Sequence, residues 1–236
     1  MSDQQELSAP PEVLYEGRWL RMCRRGRWEF AERTHGEGMA VIIIARTPDD
    51  RVLFVEQPRV PLGSRTIEMP AGLVGDQAGE DSLEDAARRE LEEETGWRPG
   101  RVEVLLVGPT SSGMSSERIA FVRALDLERV GPGGGDESED ITVHEVPRSE
   151  APAWLVAKQR EGYEVDLKLW AGLWMLERNP DGSPIALRAK RSVASIRACA
   201  FSATNAECPD AGLTTSVAFG HALCSSHALR IGQTTS

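Results

Sequence analysis

The chain has 236 residues, 40% of them apolar and 27% charged, which suits one well-packed domain with a small appendage and excludes a fibrous or wholly disordered chain. A formal net charge of −10 argues against a general nucleic-acid or acidic-lipid binder, because phosphate backbones demand clustered Lys and Arg. Any phosphate chemistry here is therefore expected to run through a metal ion, with no nucleic acid and no membrane as partner. No apolar run approaches the roughly 20 residues of a membrane-spanning helix. The polar opening MSDQQELSAPPEV lacks the apolar stretch of a secretory signal, so a cytoplasmic location is expected. Cys23, Cys199, Cys208 and Cys224 show no CxxC spacing and read as free thiols in a reducing compartment rather than as a disulfide or zinc site.

In chain order, residues 12–35 alternate apolar and polar positions, with turns at Gly17 and Arg25-Gly26, and read as short strands. MAVIIIA (39–45) is a continuous apolar run typical of a strand buried on both faces. The turn Pro48-Asp49-Asp50 then joins it to RVLFVEQ (51–57) as an expected hairpin. A loop at 58–66 and a short strand TIEM lead to Pro70-Ala71-Gly72. The strongest helix signal follows, with Ser82 as N-cap, Asp85 three residues on approximating a capping box, and Gly96 just past the end. Residues 101–108 and 117–125 read as strands flanking the polar loop TSSGMSS. The Gly-rich acidic stretch GPGGGDESED precedes a strand at 141–147, and residues 149–160 and 166–178 read as amphipathic helices. From about 179 the chain turns Ala/Ser/Thr-rich without periodicity; it reads as a tail open to disorder, with no function assigned.

Within the helix, Glu90, Glu93 and Glu94 fall inside an arc of about 100° on one face, with Glu92 about 200° from Glu90. Taken alone, such glutamates read as a solvated acidic face. Their context is Gly72, a loop, and Arg89-Glu90-Leu91-Glu92-Glu93-Glu94-Thr95-Gly96-Trp97. This resembles the Nudix box, G-x5-E-x7-R-E-U-x-E-E-x-G-U, where U is a bulky apolar residue. The second half is matched throughout. The first half departs from it: Asp81 stands where the family has Glu, and the loop is three residues longer if Gly72 is the equivalent glycine.

The resemblance extends over roughly 12–178 and points to the ADP-ribose pyrophosphatase branch. It implies an α/β Nudix fold, a mixed β-sheet sandwiched between helices, with a small N-terminal β-sheet subdomain (1–36) exchanged across a homodimer. The hydrolase domain would span 37–178 and the tail 179–236. It also implies Mg²⁺-dependent hydrolysis of ADP-ribose or a related nucleotide sugar to AMP and ribose 5-phosphate, with Mn²⁺ as the alternative ion. Hard divalent ions favour carboxylate and carbonyl oxygens. By resemblance the metal ligands are the Ala71 carbonyl, Glu90, Glu93, Glu94 and Glu139, with Arg89 orienting Glu93 at i, i+4.

Three further matches imply the remaining roles. RWEFAER places Trp28 to stack on adenine, Glu29 on the base edge and Arg33 on the phosphates; a half-buried strand aromatic and a surface Arg are the plainer readings. Glu56-Gln57-Pro58-Arg59 resembles a strand end whose Arg contacts phosphates. GGGDESEDITVHEV carries Glu137 and Glu139, by resemblance the general base and a metal ligand, or else two residues of a solvated acidic loop. Gly113 and Met114 match a substrate-bordering loop. GDP-mannose and flavin or nicotinamide dinucleotides stand as alternative substrates, and a non-catalytic ADP-ribose sensor as an alternative of another class. The four histidines form no evident ligand set.

Overall fold

The computed structural model describes residues 3–35, 38–75, 82–136 and 139–185. A single-turn helix, α1 (Asp3–Ser8), precedes three short strands, β1 (Glu12–Glu16), β2 (Leu20–Arg25) and β3 (Trp28–Arg33). These form an antiparallel sheet of their own in the order β1-β2-β3, with Gly26 at φ 58° supplying the left-handed turn residue between β2 and β3.

The remaining elements are β4 (Met39–Ala45), β5 (Arg51–Arg59), a 3₁₀ turn (Val60–Leu62), β6 (Ser64–Glu68), β7 (Ala71–Leu73) and α2 (Leu83–Thr95). They continue with β8 (Trp97–Pro109), β9 (Arg118–Arg129), β10 (Thr142–Pro147), α3 (Ala151–Arg160), β11 (Glu164–Val165) and α4 (Lys168–Met175). Two four-stranded sheets result, β7-β4-β9-β8 and β10-β5-β6-β11. Both are mixed, since β4 runs parallel to β9 and β6 parallel to β11. With helices packed on them, the architecture is the expected α/β one.

The expected β4–β5 hairpin does not form. β4 pairs with β7 on one edge and β9 on the other, leaving only a bridge between Arg46 and Val52. A strand whose two edges are taken has no ladder left to offer, so the Asp49-Asp50 turn delivers β5 into the second sheet instead. β4 is buried on both faces, as its composition suggests. Ile42 and Ile44 pack with Phe54, Ile67, Leu155 and Leu169, while Val41, Ile43 and Ala45 pack with Ala86, Ala87 and Leu91 of α2.

Helix α2 is closed at both ends as its sequence predicts. The Ser82 hydroxyl accepts from the Asp85 N–H at 3.1 Å and donates to its carboxylate at 2.7 Å. Gly96 is left-handed at φ 71° and returns its N–H to the Glu92 carbonyl. Ser82→Ala is expected to cost about 1 kcal/mol of stability, measured by urea titration. Helices α3 and α4 are shorter than the sequence periodicity suggests. α4 lies so close to the β6–β7 connection that a Cβ on Gly172 would fall 2.1 Å from Met69 Cε.

Cys23 is a free, buried thiol; the other cysteines and residues 186–236 lie outside the described residues. Residues 179–185 fold back, with Asn179 accepting from Arg123 and Ile185 bonded to the Glu177 carbonyl. Among the described residues, no helix is long and apolar enough to cross a membrane.

Candidate active site

The site is built where β7 begins. Glu94, only 3% exposed, accepts the Ala71 N–H on Oε2 at 3.0 Å. One turn earlier on the same face, Glu90 lies directly over Gly72, where a Cβ would sit 1.9 Å from the Glu90 carboxyl carbon. Glycine at this position is thus what lets the carboxylate helix approach the strand. Arg89 bonds Glu90 at 2.7 Å, reaches the Leu73 carbonyl at 3.3 Å, and stands 3.7 Å from Glu93. The expected Arg89–Glu93 pair is present, but Glu90 is the tighter partner because Leu73 draws the guanidinium toward β7. Glu93 is half-exposed at the rim, and Glu92 forks with Arg98 outside the site.

The acidic loop is pinned to this helix by its glycines. The last carbonyls of α2 need donors from outside the helix. Gly134 N–H bonds the Glu94 carbonyl, Gly135 N–H the Glu93 carbonyl, and Val130 and Gly131 both bond that of Gly96. Gly133 has φ 72°, and a Cβ on it would lie 2.4 Å from the Thr95 carbonyl carbon, so the run of glycines is the contact surface itself. Glu139 exchanges bonds with Asp136, its carboxylate accepting the Asp136 N–H at 3.1 Å. Asp140 forms an ion pair with Arg65 at 2.7 Å; Arg65 in turn bonds Glu56, which also bonds His144 at 2.9 Å. Burial raises the Glu56 carboxyl, but bonds from His144 and Arg65 outweigh it and hold the group below its ordinary value. Glu137 and Asp81 lie outside the described residues.

Burial drives the Glu94 carboxyl up to about 9; the charges of Glu90, Glu139 and Glu68 push the same way, against the Ala71 N–H. Among the described residues no three acidic, His or Cys side chains close on one point at ligand distances. Glu90 faces Arg89 and Glu139 faces the Asp136 N–H. The donors are nonetheless all oxygens, and a hard divalent cation would stabilise the buried Glu94 anion, so the residues fit such an ion once Glu90 and Glu139 rotate away from those partners.

Arg59 holds Glu68 in a two-bond fork, both distances 2.7 Å, and lies in electrostatic range of Glu94. On the N-terminal sheet, Trp28 is 53% exposed and Glu29 is exposed beside it. Arg33 pairs with Glu117 at 2.5 Å, and Ala31 exchanges backbone bonds with Met114 and Ser116. These bonds clip β3 to the loop bearing Gly113 and the exposed Met114. Arg33 also lines a cavity of about 570 Å³ with Trp19, His35, Leu73 and Val74. Trp19, exposed and edge-on to His35, was not among the residues singled out from the sequence. An apolar ring set among arginines just after Gly17 was the signal available.

The NUDIX domain family model matches residues 36–165. The chain is 36% identical over 121 residues to a methanol dehydrogenase activator of Bacillus methanolicus, covering 51% of this chain and 64% of that one, so it spans under two thirds of that relative's length. It is 35% identical over 150 residues to an ADP-ribose pyrophosphatase of Escherichia coli (strain K12), covering 60% of this chain and 68% of the relative. A crystal structure of an ADP compounds hydrolase superposes with a TM-score of 0.54 at 20% identity, covering 71% of this chain and 89% of that chain. At that identity the superposition speaks for the fold.

Proposed function

From the premise that the chain belongs to the Nudix family, in its ADP-ribose pyrophosphatase branch, we propose that it hydrolyses the pyrophosphate bond of ADP-ribose or a related nucleotide sugar, giving AMP and ribose 5-phosphate. The observation that carries this reading is the convergence of two separate acidic segments. Glu90 on α2, and Glu139 on a loop bonded to the end of α2, both raise the cost of ionising the buried Glu94 at the start of β7.

In this reading the Ala71 carbonyl, Glu90, Glu93, Glu94 and Glu139 hold Mg²⁺, or Mn²⁺ in its place. A divalent ion held there would supply charge neutralisation for the diphosphate and lower the pKa of a coordinated water. Arg89 orients Glu93 from one turn away. Arg59 meets a phosphate with the guanidinium edge that Glu68 leaves open. Glu137 takes the proton of the attacking water. Trp28 stacks on the base, Glu29 accepts from its edge, Arg33 serves the phosphates, and Gly113 and Met114 border the substrate.

The active form in this reading is a homodimer that exchanges the 1–36 subdomain. Val13, Leu14, Tyr15, Leu20, Met22 and Trp28 are all exposed on that small sheet, more apolar surface than a lone three-stranded sheet normally shows to water. The catalytic domain is 37–178, and the location is cytoplasmic.

The test is incubation of the purified chain with ADP-ribose, GDP-mannose and NADH, with and without Mg²⁺, scoring nucleoside monophosphate. AMP release from ADP-ribose that requires Mg²⁺ is the expected result. Faster GMP release would move the reading to GDP-mannose. Binding of ADP-ribose without AMP release would make the chain a sensor. A monomer by gel filtration would remove Trp28 from the site.

A further inference from the structure

A second cavity, of about 430 Å³, opens between the end of the β5–β6 hairpin and the β11–α4 junction. Its polar lining comprises Arg59, Thr66, Glu68, Glu164, Asp166 and Lys168; the rest is aliphatic, with no aromatic ring. Parallel pairing of β11 with β6 sets Glu164 beside Thr66, and the close seat of α4 on Met69 brings Lys168 to the same rim.

The donors and acceptors are unevenly committed. Arg59 spends one guanidinium edge on Glu68, and Thr66 donates to the same carboxylate. Lys168 places Nζ 2.5 Å from Asp166 Oδ2, while its backbone N–H bonds Oδ1 of the same residue. An ammonium has three protons, so Lys168 keeps donors for a ligand. Glu164 is exposed and has no ion-pair or hydrogen-bond partner among the described residues. The cavity therefore presents two cationic head groups to an anion and one uncommitted carboxylate to hydroxyl donors. It has no ring on which a nucleobase could stack. Arg59 lies in electrostatic range of Glu94 as well as of Asp166, so the cavity adjoins the carboxylate cluster.

We propose that this cavity binds the phosphorylated sugar half of the substrate, with Lys168 and Arg59 on its phosphate and Glu164 on its hydroxyls. The proposal rests on the pyrophosphatase reading and adds Lys168 and Glu164 to it as residues that determine specificity. It favours substrates whose second half is a sugar phosphate over dinucleotides, whose second half carries an aromatic base.

The test is calorimetric titration of the full-length chain with ribose 5-phosphate, inorganic phosphate and AMP, for the unaltered protein, Lys168→Met and Glu164→Ala, each checked for an unchanged melting temperature. Lys168→Met is expected to weaken ribose 5-phosphate and phosphate by about tenfold and to leave AMP unchanged. Glu164→Ala is expected to weaken ribose 5-phosphate alone, which separates a sugar phosphate from a bare phosphate ion. Equal ribose 5-phosphate affinity in all three proteins, or an equal loss for AMP, would overturn the proposal. Hydrolysis of ADP-ribose is scored separately: no AMP release with ribose 5-phosphate binding intact refutes the hydrolase reading and not the cavity. Normal hydrolysis with an unchanged KM in both variants refutes the cavity and not the hydrolase.

Discussion

Glu94→Gln is expected to lower kcat by about 100-fold or more at saturating Mg²⁺, while the metal-free variant melts at or above the temperature of the unaltered chain. A residue proposed as a ligand to the ion should matter at least as much as the outer partners whose loss typically costs about 10–100-fold. The stability half follows from burial. Without a cation the folded chain holds the Glu94 proton up to about pH 9, whereas an exposed Glu releases it near 4.5. Between those values the folded state binds more protons than the unfolded one, so the slope of stability with pH is negative. The contribution is whole below about 4.5 and fades as pH rises toward 9. Gln is a neutral isostere that can keep the bond from the Ala71 N–H and carries no such dependence. The gap in melting temperature between variant and unaltered chain, measured in EDTA, should therefore widen from pH 6 to pH 8.5, and Mg²⁺ should close it by raising the unaltered chain. Full activity, or a variant destabilised in EDTA, would remove Glu94 from the metal site.

Arg123→Met is expected to cost about 2–4 kcal/mol, or roughly 5–15 °C in melting temperature for a domain of this size. Arg123 is only 3% exposed, in the middle of β9. Burial lowers its pKa, opposed by the charge and hydrogen bond of Glu103. Its guanidinium donates to the Met175 and Arg178 carbonyls at 2.9 and 2.8 Å and to Asn179 Oδ1 at 3.1 Å, closing the C-terminal end of α4. Methionine fills the volume but leaves those carbonyls without a donor in a place where water has little access. Because α4 carries Lys168, the variant should also bind ribose 5-phosphate more weakly at temperatures where it remains folded. Thermal melts and titration at 10 °C check both halves; a loss under 1 °C would refute the capping role.

Some of this was readable along the chain because the physics is local. Ser82, Asp85 and Gly96 bound α2 through hydrogen bonds and a backbone conformation that involve residues within one turn. The spacing of Glu90 and Glu94 puts them on one face whatever the helix packs against. The burial of β4 on both faces was likewise legible, because the unbroken apolar run MAVIIIA offers no polar face to water.

Other features were not. GPGGG announced a loop and gave no hint that its N–H groups cap the carbonyls of α2, since those partners are distant in sequence. RVLFVEQ looked like the second arm of a hairpin, since turn chemistry says where a chain reverses and not which edge will receive it. Arg59 suggested a phosphate contact, but not that Glu68 would already occupy half of its guanidinium.

What the order of residues determined by itself was the helix, its stops and the set of carboxylates on it, because each depends on neighbours a few bonds away. What only the folded molecule decided was which strands share a sheet, where the acidic loop lands, and which charges face a cavity. Those outcomes depend on edges, carbonyls and head groups competing for partners across the whole chain, and that competition is settled only when the core closes.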